Sequence, residues 1–392
     1  MQIPKRILPV IVFSQFAVTS IWFAGNAIVG DLQSAMNVGI EDTGIVTSAI
    51  QLGFISGTLI FALLSISDRY SARKLFFICS VLGSLSNLLI YFVAFDLFSL
   101  LVLRFITGFF LTGIYPVGMK IAAGWYKEEL GNAIGLLVGS LALGTAFPHL
   151  IKSFGGSLPW EQVIFIISAF SLTGGILMYL FVPDGPHISS GTKFNPKAIL
   201  TIFKYKELRS SALGYFGHMW ELYTFWAFIP LILIYYIKLN PVELNISFWA
   251  FIIIGSGSVG CIVGGVISKK MGSAKVAFIQ LALSGICCLI SPLMFYTSAP
   301  IFLTFLIFWG VVVVGDSPQY SAIIAISAPK ELIGSALTFV NSIGFAITIV
   351  SIWVVSQFTG IIDTSFILVI LALGPMAGLI SMKPLLSIKP VK

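Results

Sequence analysis

From Ile7 onward the chain repeats one pattern, a long apolar run followed by a short polar break. About 20 apolar residues in a helix cross the hydrocarbon core of a bilayer. Twelve runs come close to that length: roughly 7–30, 43–65, 74–95, 97–120, 132–151, 161–182, 210–236, 246–267, 276–297, 300–324, 333–356 and 362–386. Membrane-spanning β-strands would show short alternating segments instead. The pattern therefore predicts an all-α membrane protein with twelve transmembrane helices. The first run follows Lys5 and Arg6 and is long enough to span, where a signal peptide would have a shorter apolar region and a small-residue cleavage site, so it is expected to stay as the first helix.

Composition agrees. Of the 392 residues, 58% are hydrophobic and only 9% are charged, against about 25% charged in soluble domains. Lipid is the solvent that can take this much apolar surface. Basic residues then fix the orientation, because cytoplasmic loops collect Lys and Arg. With the N-terminus in the cytoplasm, nineteen of the 22 basic residues fall inside, Lys152 and Lys238 fall outside, and Arg104 lies within a span. Both termini are then cytoplasmic. The four cysteines lie in apolar runs with no metal-type spacing and read as small hydrophobes.

The longest polar connection, 183–209, separates six runs from six. It divides the chain into an N-terminal half (1–182), a cytoplasmic linker (183–209) and a C-terminal half (210–392). Gly108, Gly113 and Pro116 in span 4 recur as Gly310, Gly315 and Pro318 in span 10. Lys127, Glu128 and Gly131 recur as Lys330, Glu331 and Gly334, and the basic loop near Arg69 has a counterpart near Lys270. The nearly constant offset argues for two parallel six-helix repeats.

The loop SDRYSARK (67–74) resembles the signature between helices 2 and 3 of the major facilitator superfamily, with Asp68, Arg69 and Arg73 matching. Leu64 and Ser71 replace its glycines. The copy GVISKKMGSAK (265–275) keeps Gly265 and Gly272 but has Lys269 in place of the aspartate. RFITG (104–108) is similar to another family element, with Thr107 for its glutamine. The resemblance covers the whole chain. It implies the twelve-helix major facilitator fold, a central cavity lined mainly by helices 1, 4, 7 and 10, rocking halves, and a gate latch at Asp68, Arg69 and Arg73. The stretches GHMWELYTFWAF and GDSPQYSA resemble a bacterial subgroup often placed beside nitrate/nitrite porters. Spans 2 and 8 carry no basic residue, so the substrate arginines of those porters are missing, and so is their glycine-rich element.

Ionisable groups within a span cost about 2.5–3.5 kcal/mol on insertion scales and usually face a cavity or a partner. His218 and Glu221 lie one turn apart near the middle of span 7. Together with Asp316, beside Gly315 and Pro318 in span 10, they are the candidate proton-coupling residues. A structural hydrogen-bonded pair would leave the same letters. Arg104 is a candidate for holding an anionic substrate or a cavity carboxylate. Asn26, Trp22, Tyr115, Gln319 and Trp220 are further candidate substrate contacts, or packing and interface residues. His149 lies near the outer end of span 5.

The sequence has no ATP-binding loop, no hydrolase or metalloprotease motif and no metal-ligand cluster. It predicts neither an enzyme nor a protein that needs a cofactor or metal, and its basic residues do not imply nucleic acid. The expected partners are a small-molecule substrate, protons and the lipid bilayer, with the chain acting as a monomer in a bacterial inner membrane. The expected function is secondary active transport of a small organic solute by alternating access, proton-coupled, the solute being an anion if Arg104 binds it. Alternatives are an efflux antiporter for drugs or siderophore-like metabolites, an inorganic-anion (nitrate-like) porter, and a non-transporting membrane sensor.

Overall fold

The computed structural model of the chain describes residues 3–28, 30–32, 42–93, 96–126, 130–154, 158–187, 195, 202–329 and 332–387. The calls on Lys127, Glu128, Lys330 and Glu331, and most of the linker, lie outside these. The chain divides into two units, 1–191 and 192–392.

In the first unit the helices are α1 (Ile7–Thr19), α2 (Ala24–Ala27), α3 (Asp42–Leu63), α4 (Ile66–Arg69), α5 (Ala72–Val93), α6 (Leu97–Leu111), α7 (Tyr115–Trp125), α8 (Leu130–Ser153) and α9 (Trp160–Phe181). In the second they are α10 (Lys206–Leu239), α11 (Ile246–Gly255), α12 (Gly257–Met271), α13 (Ser273–Met294), α14 (Ala299–Gly315), α15 (Ser317–Ser327), α16 (Ile333–Phe358) and α17 (Leu373–Met382). A 3-10 helix (Thr364–Ala372) leads into α17. Among the described residues, eleven helical segments are long and apolar enough to cross a membrane, and α1 is a shorter apolar helix.

Span 1 departs from expectation. The run 7–30 is not one helix, because α1 stops at Thr19 and a helical turn resumes only at Ala24. Two side chains act at the stop. Thr19 Oγ1 donates back to Gln15 O (2.8 Å) and Ser20 Oγ to Ala17 O (2.7 Å), a pattern that bends helices.

Spans 4 and 10 are interrupted at matching places. The first runs Leu97–Trp125 with a break before Tyr115, and the second runs Ala299–Ser327 with a break before Ser317. Start, break and end all repeat at an offset of 202. Pro116 and Pro318 sit in the first turn after each break, where a missing N–H costs nothing.

The two units also share a packing device. A Cβ on Gly108 of α6 would fall 2.0 Å from Ile50 O of α3, and one on Gly53 of α3 would fall 2.0 Å from Phe105 O. In the second unit a Cβ on Gly310 of α14 would fall 2.1 Å from Ile253 O, and one on Gly260 of α12 would fall 1.8 Å from Val311 O. Backbones this close exclude any side chain, and small residues provide such contacts where lipid gives no hydrophobic drive between helices.

Candidate functional site

The polar groups of the second unit gather where α10, α13 and α14 meet. Glu221, on α10, is 1% exposed. Trp309 Nε1 of α14 donates to Glu221 Oε1 at 2.7 Å, Cys288 Sγ of α13 contacts the same oxygen at 3.3 Å, and Ser284 Oγ also bonds it. Trp309 Nε1 lies 3.1 Å from Ser284 Oγ as well. Three donors on one oxygen offset much of the cost of burying a carboxylate. Phe225 packs against the Trp309 ring at 4.5 Å between centroids and fixes its direction.

One turn earlier on α10, His218 Nδ1 lies 2.8 Å from Asp316 Oδ1, with both side chains 1% exposed. Asp316 occupies the break between α14 and α15. The contact is close but off the axis of a hydrogen bond. Both Asp316 oxygens and His218 Nε2 lack an in-line partner among the described residues. Tyr215 and Tyr320 flank the imidazole at 5.8 and 5.9 Å.

α10 is therefore tied to the α14–α15 span at two levels, by Glu221 with Trp309 and by His218 with Asp316. The two levels bring three ionisable side chains of the second unit together in buried surroundings. The sequence had singled out His218, Glu221 and Asp316 but neither Ser284 nor Trp309, since a lone serine or tryptophan in an apolar run carries no signal. Cys288, read as a small hydrophobe, is a ligand of the Glu221 carboxyl.

Gln319 is buried in the first turn of α15, and its backbone N–H donates to Asp316 O at 2.9 Å. Trp220 points elsewhere, donating from Nε1 to Ile370 O (3.3 Å) of the 3-10 helix.

In the first unit Arg104 is fully buried on α6. Its Nη1 donates to Ile21 O (3.1 Å) and Asn87 Oδ1 (3.3 Å), and its Nη2 to Trp22 O. The acceptors are two backbone carbonyls and an amide, and no carboxylate is among them. Ile21 and Trp22 form the break in span 1, and carbonyls at a helix interruption need outside donors. Asn87 in turn donates to Ser168 Oγ of α9 at 3.0 Å. Asn26 Nδ2 donates to Thr47 Oγ1 at 2.7 Å, and the Trp22 ring lies 4.9 Å from that of Phe54. Tyr115 opens α7, and His149 is buried on α8.

Of the expected latch residues, Arg69 is exposed and Arg73 half-buried. The side chain of Asp68 lies outside the described residues. Arg73 Nε is 4.0 Å from Asp184 Oδ2 and its guanidinium lies 5.6 Å over the Tyr179 ring. Ser71 Oγ bonds both Asp184 oxygens at 2.9 Å. Trp125 Nε1 donates to Pro183 O at 2.9 Å and His187 N to Gly124 O at 3.0 Å. The segment after α9 is thereby strapped to the loop after α4 and to the end of α7.

Apolar spans of this length and number define a multi-pass membrane protein. The family profile of the Major Facilitator Superfamily matches residues 10–352, and the chain belongs to that superfamily. No curated relative matches it by sequence. Among solved structures, one similar fold is the proton:xylose symporter XylE bound to 6-bromo-6-deoxy-D-glucose, at 13% identity and a TM-score of 0.76, covering 97% of this chain and 95% of that one. Another is the human organic anion transporter MFSD10, at 15% identity and a TM-score of 0.73, covering 97% of this chain and 100% of that one. Identities this low establish the shared fold.

Proposed function

We propose that the chain is a proton-coupled secondary transporter of a small organic solute, acting as a monomer in a bacterial inner membrane with both termini in the cytoplasm. Glu221, His218 and Asp316 carry the coupling. The observation that supports this most is the Glu221 carboxyl, which is sealed from solvent yet met by Trp309, Ser284 and Cys288 on a single oxygen. A buried ionisable group inside a membrane is expensive and is kept for function. Asp68, Arg69 and Arg73 serve as a gate latch, with Arg73 anchored near Asp184.

The superfamily neighbours differ in cargo, a sugar with a proton for XylE and organic anions for MFSD10, so they do not select the solute. The test uses purified protein in liposomes with an imposed pH gradient. Solute-dependent proton movement is expected, and Glu221→Gln abolishes gradient-driven uptake while leaving solute binding in place. Undiminished gradient-driven transport by Glu221→Gln would remove the coupling assignment.

A further inference from the structure

The first unit holds hydrogen-bonding capacity that its own fold leaves unused. Gln51 of α3 is 0% exposed, and neither Nε2 nor Oε1 has a partner among the described residues. Asn26, 5% exposed, uses its Nδ2 on Thr47 and leaves Oδ1 unpartnered. Arg104, 0% exposed, has its two terminal nitrogens engaged and leaves Nε unpartnered.

These groups are neighbours. Thr47 and Gln51 are one turn apart on the same face of α3, and Asn26 is bonded to Thr47. The Nε edge of Arg104 lies beside Gly25, the residue before Asn26, since a Cβ there would sit 3.1 Å from Nε. Phe54, on the same α3 face as Gln51, packs against Trp22 and forms an aromatic wall.

We infer that Trp22, Asn26, Gln51, Phe54 and Arg104 Nε form a binding site for an uncharged, hydrogen-bonding solute such as a polyol, sugar or simple amide. The inference rests on the transport reading and narrows its substrate class. A buried polar group left unpaired carries a desolvation penalty, so Gln51 and Asn26 call for a ligand with both donors and acceptors. The acceptors Asn26 Oδ1 and Gln51 Oε1 need hydroxyl or amide donors, which a carboxylate or nitrate lacks. The buried guanidinium of Arg104, which would favour an anion, has committed both terminal nitrogens to the break in span 1 and to Asn87. An aromatic wall suits the apolar face of a sugar or polyol.

The test is thermal unfolding of the full, detergent-solubilised chain with matched neutral and acidic probes: D-glucose against gluconate, glycerol against glycerate, acetamide against acetate. At least one neutral probe is expected to raise the midpoint by mass action while its acid does not. Gln51→Met should weaken that apparent affinity tenfold or more, and its own unliganded midpoint should equal or exceed that of the parent, since an unpaired amide has been removed. A midpoint shift with the acids alone overturns the inference, and so does no shift with any probe, which leaves the unpartnered amides to water only. A retained shift in Gln51→Met overturns it too. If Gln51→Met does not fold, Asn26→Leu is read by the same criteria. The assay needs no gradient, so transport in liposomes can succeed while this inference fails, and the two outcomes remain separate.

Discussion

His218 Nδ1 and Asp316 Oδ1 stand 2.8 Å apart, each side chain 1% exposed, joining α10 to the break between α14 and α15. Removing one member strands the other in a buried site, which costs about 3–5 kcal/mol. His218→Asn and Asp316→Asn should each lower stability on that scale. The double variant should lose less than the sum, because the contact is counted once. Denaturation in detergent measures all four proteins, and strictly additive losses would show that the two groups do not interact.

Arg104 closes the break in span 1 through Ile21 O and Trp22 O. Arg104→Lys keeps the charge but has no planar fork. It should cost roughly 1–3 kcal/mol through lost bonds to buried acceptors and speed amide exchange at residues 21–27. Parental exchange rates in Arg104→Lys would mean that the break holds itself open.

The reciprocal glycine contacts give a matched set of substitutions. Gly108→Ala and Gly310→Ala each push a methyl group against a backbone carbonyl, and each should destabilise by about 1–3 kcal/mol. Gly265 of α12 has open space around its would-be Cβ, so Gly265→Ala should be neutral or gain up to ~1 kcal/mol from helix propensity. Equal melting shifts for all three would contradict the close packing.

Asp363 precedes the 3-10 helix, outside the spans. The Ser365 hydroxyl and backbone N–H, then the Tyr235 hydroxyl, donate to Oδ1 at 2.6, 2.9 and 2.9 Å and hold its carboxyl below the usual range. A depressed carboxyl adds stability above its unfolded pKa, and that stability is lost as pH falls through the lower folded value. Asp363→Asn should therefore lower stability at neutral pH, with a loss that shrinks as pH falls, so the acid limb of its stability-against-pH curve is flatter than the parent's. An acid limb identical to the parent's would assign that slope to other groups.

The sequence reading reached the long apolar helices and picked out the three ionisable residues of the second unit because lipid leaves a blunt signal. A long apolar run must be a helix, and a charge within it stands out. Trp309, Ser284 and Asn87 stayed hidden for the opposite reason. Their residue types are ordinary in apolar helices, and only packing shows that each meets Glu221 or Arg104. The interruption of span 1 was missed because Ser14, Thr19 and Ser20 are too few and too small to lower its hydropathy. Arg104 was legible as a buried charge, but its carbonyl partners were not, since any residue can offer a backbone oxygen.

Asn87 and Cys288 occupy the same rung of the duplicated scaffold, each the sixteenth residue of its helix (72 to 87 in α5, 273 to 288 in α13). Asn87 braces the guanidinium of Arg104, and Cys288 braces the carboxyl of Glu221. The position that matches Arg104 at the offset of 202 is Leu306. The two units thus repeat each other in their bends and glycines while burying different polar groups at matching positions.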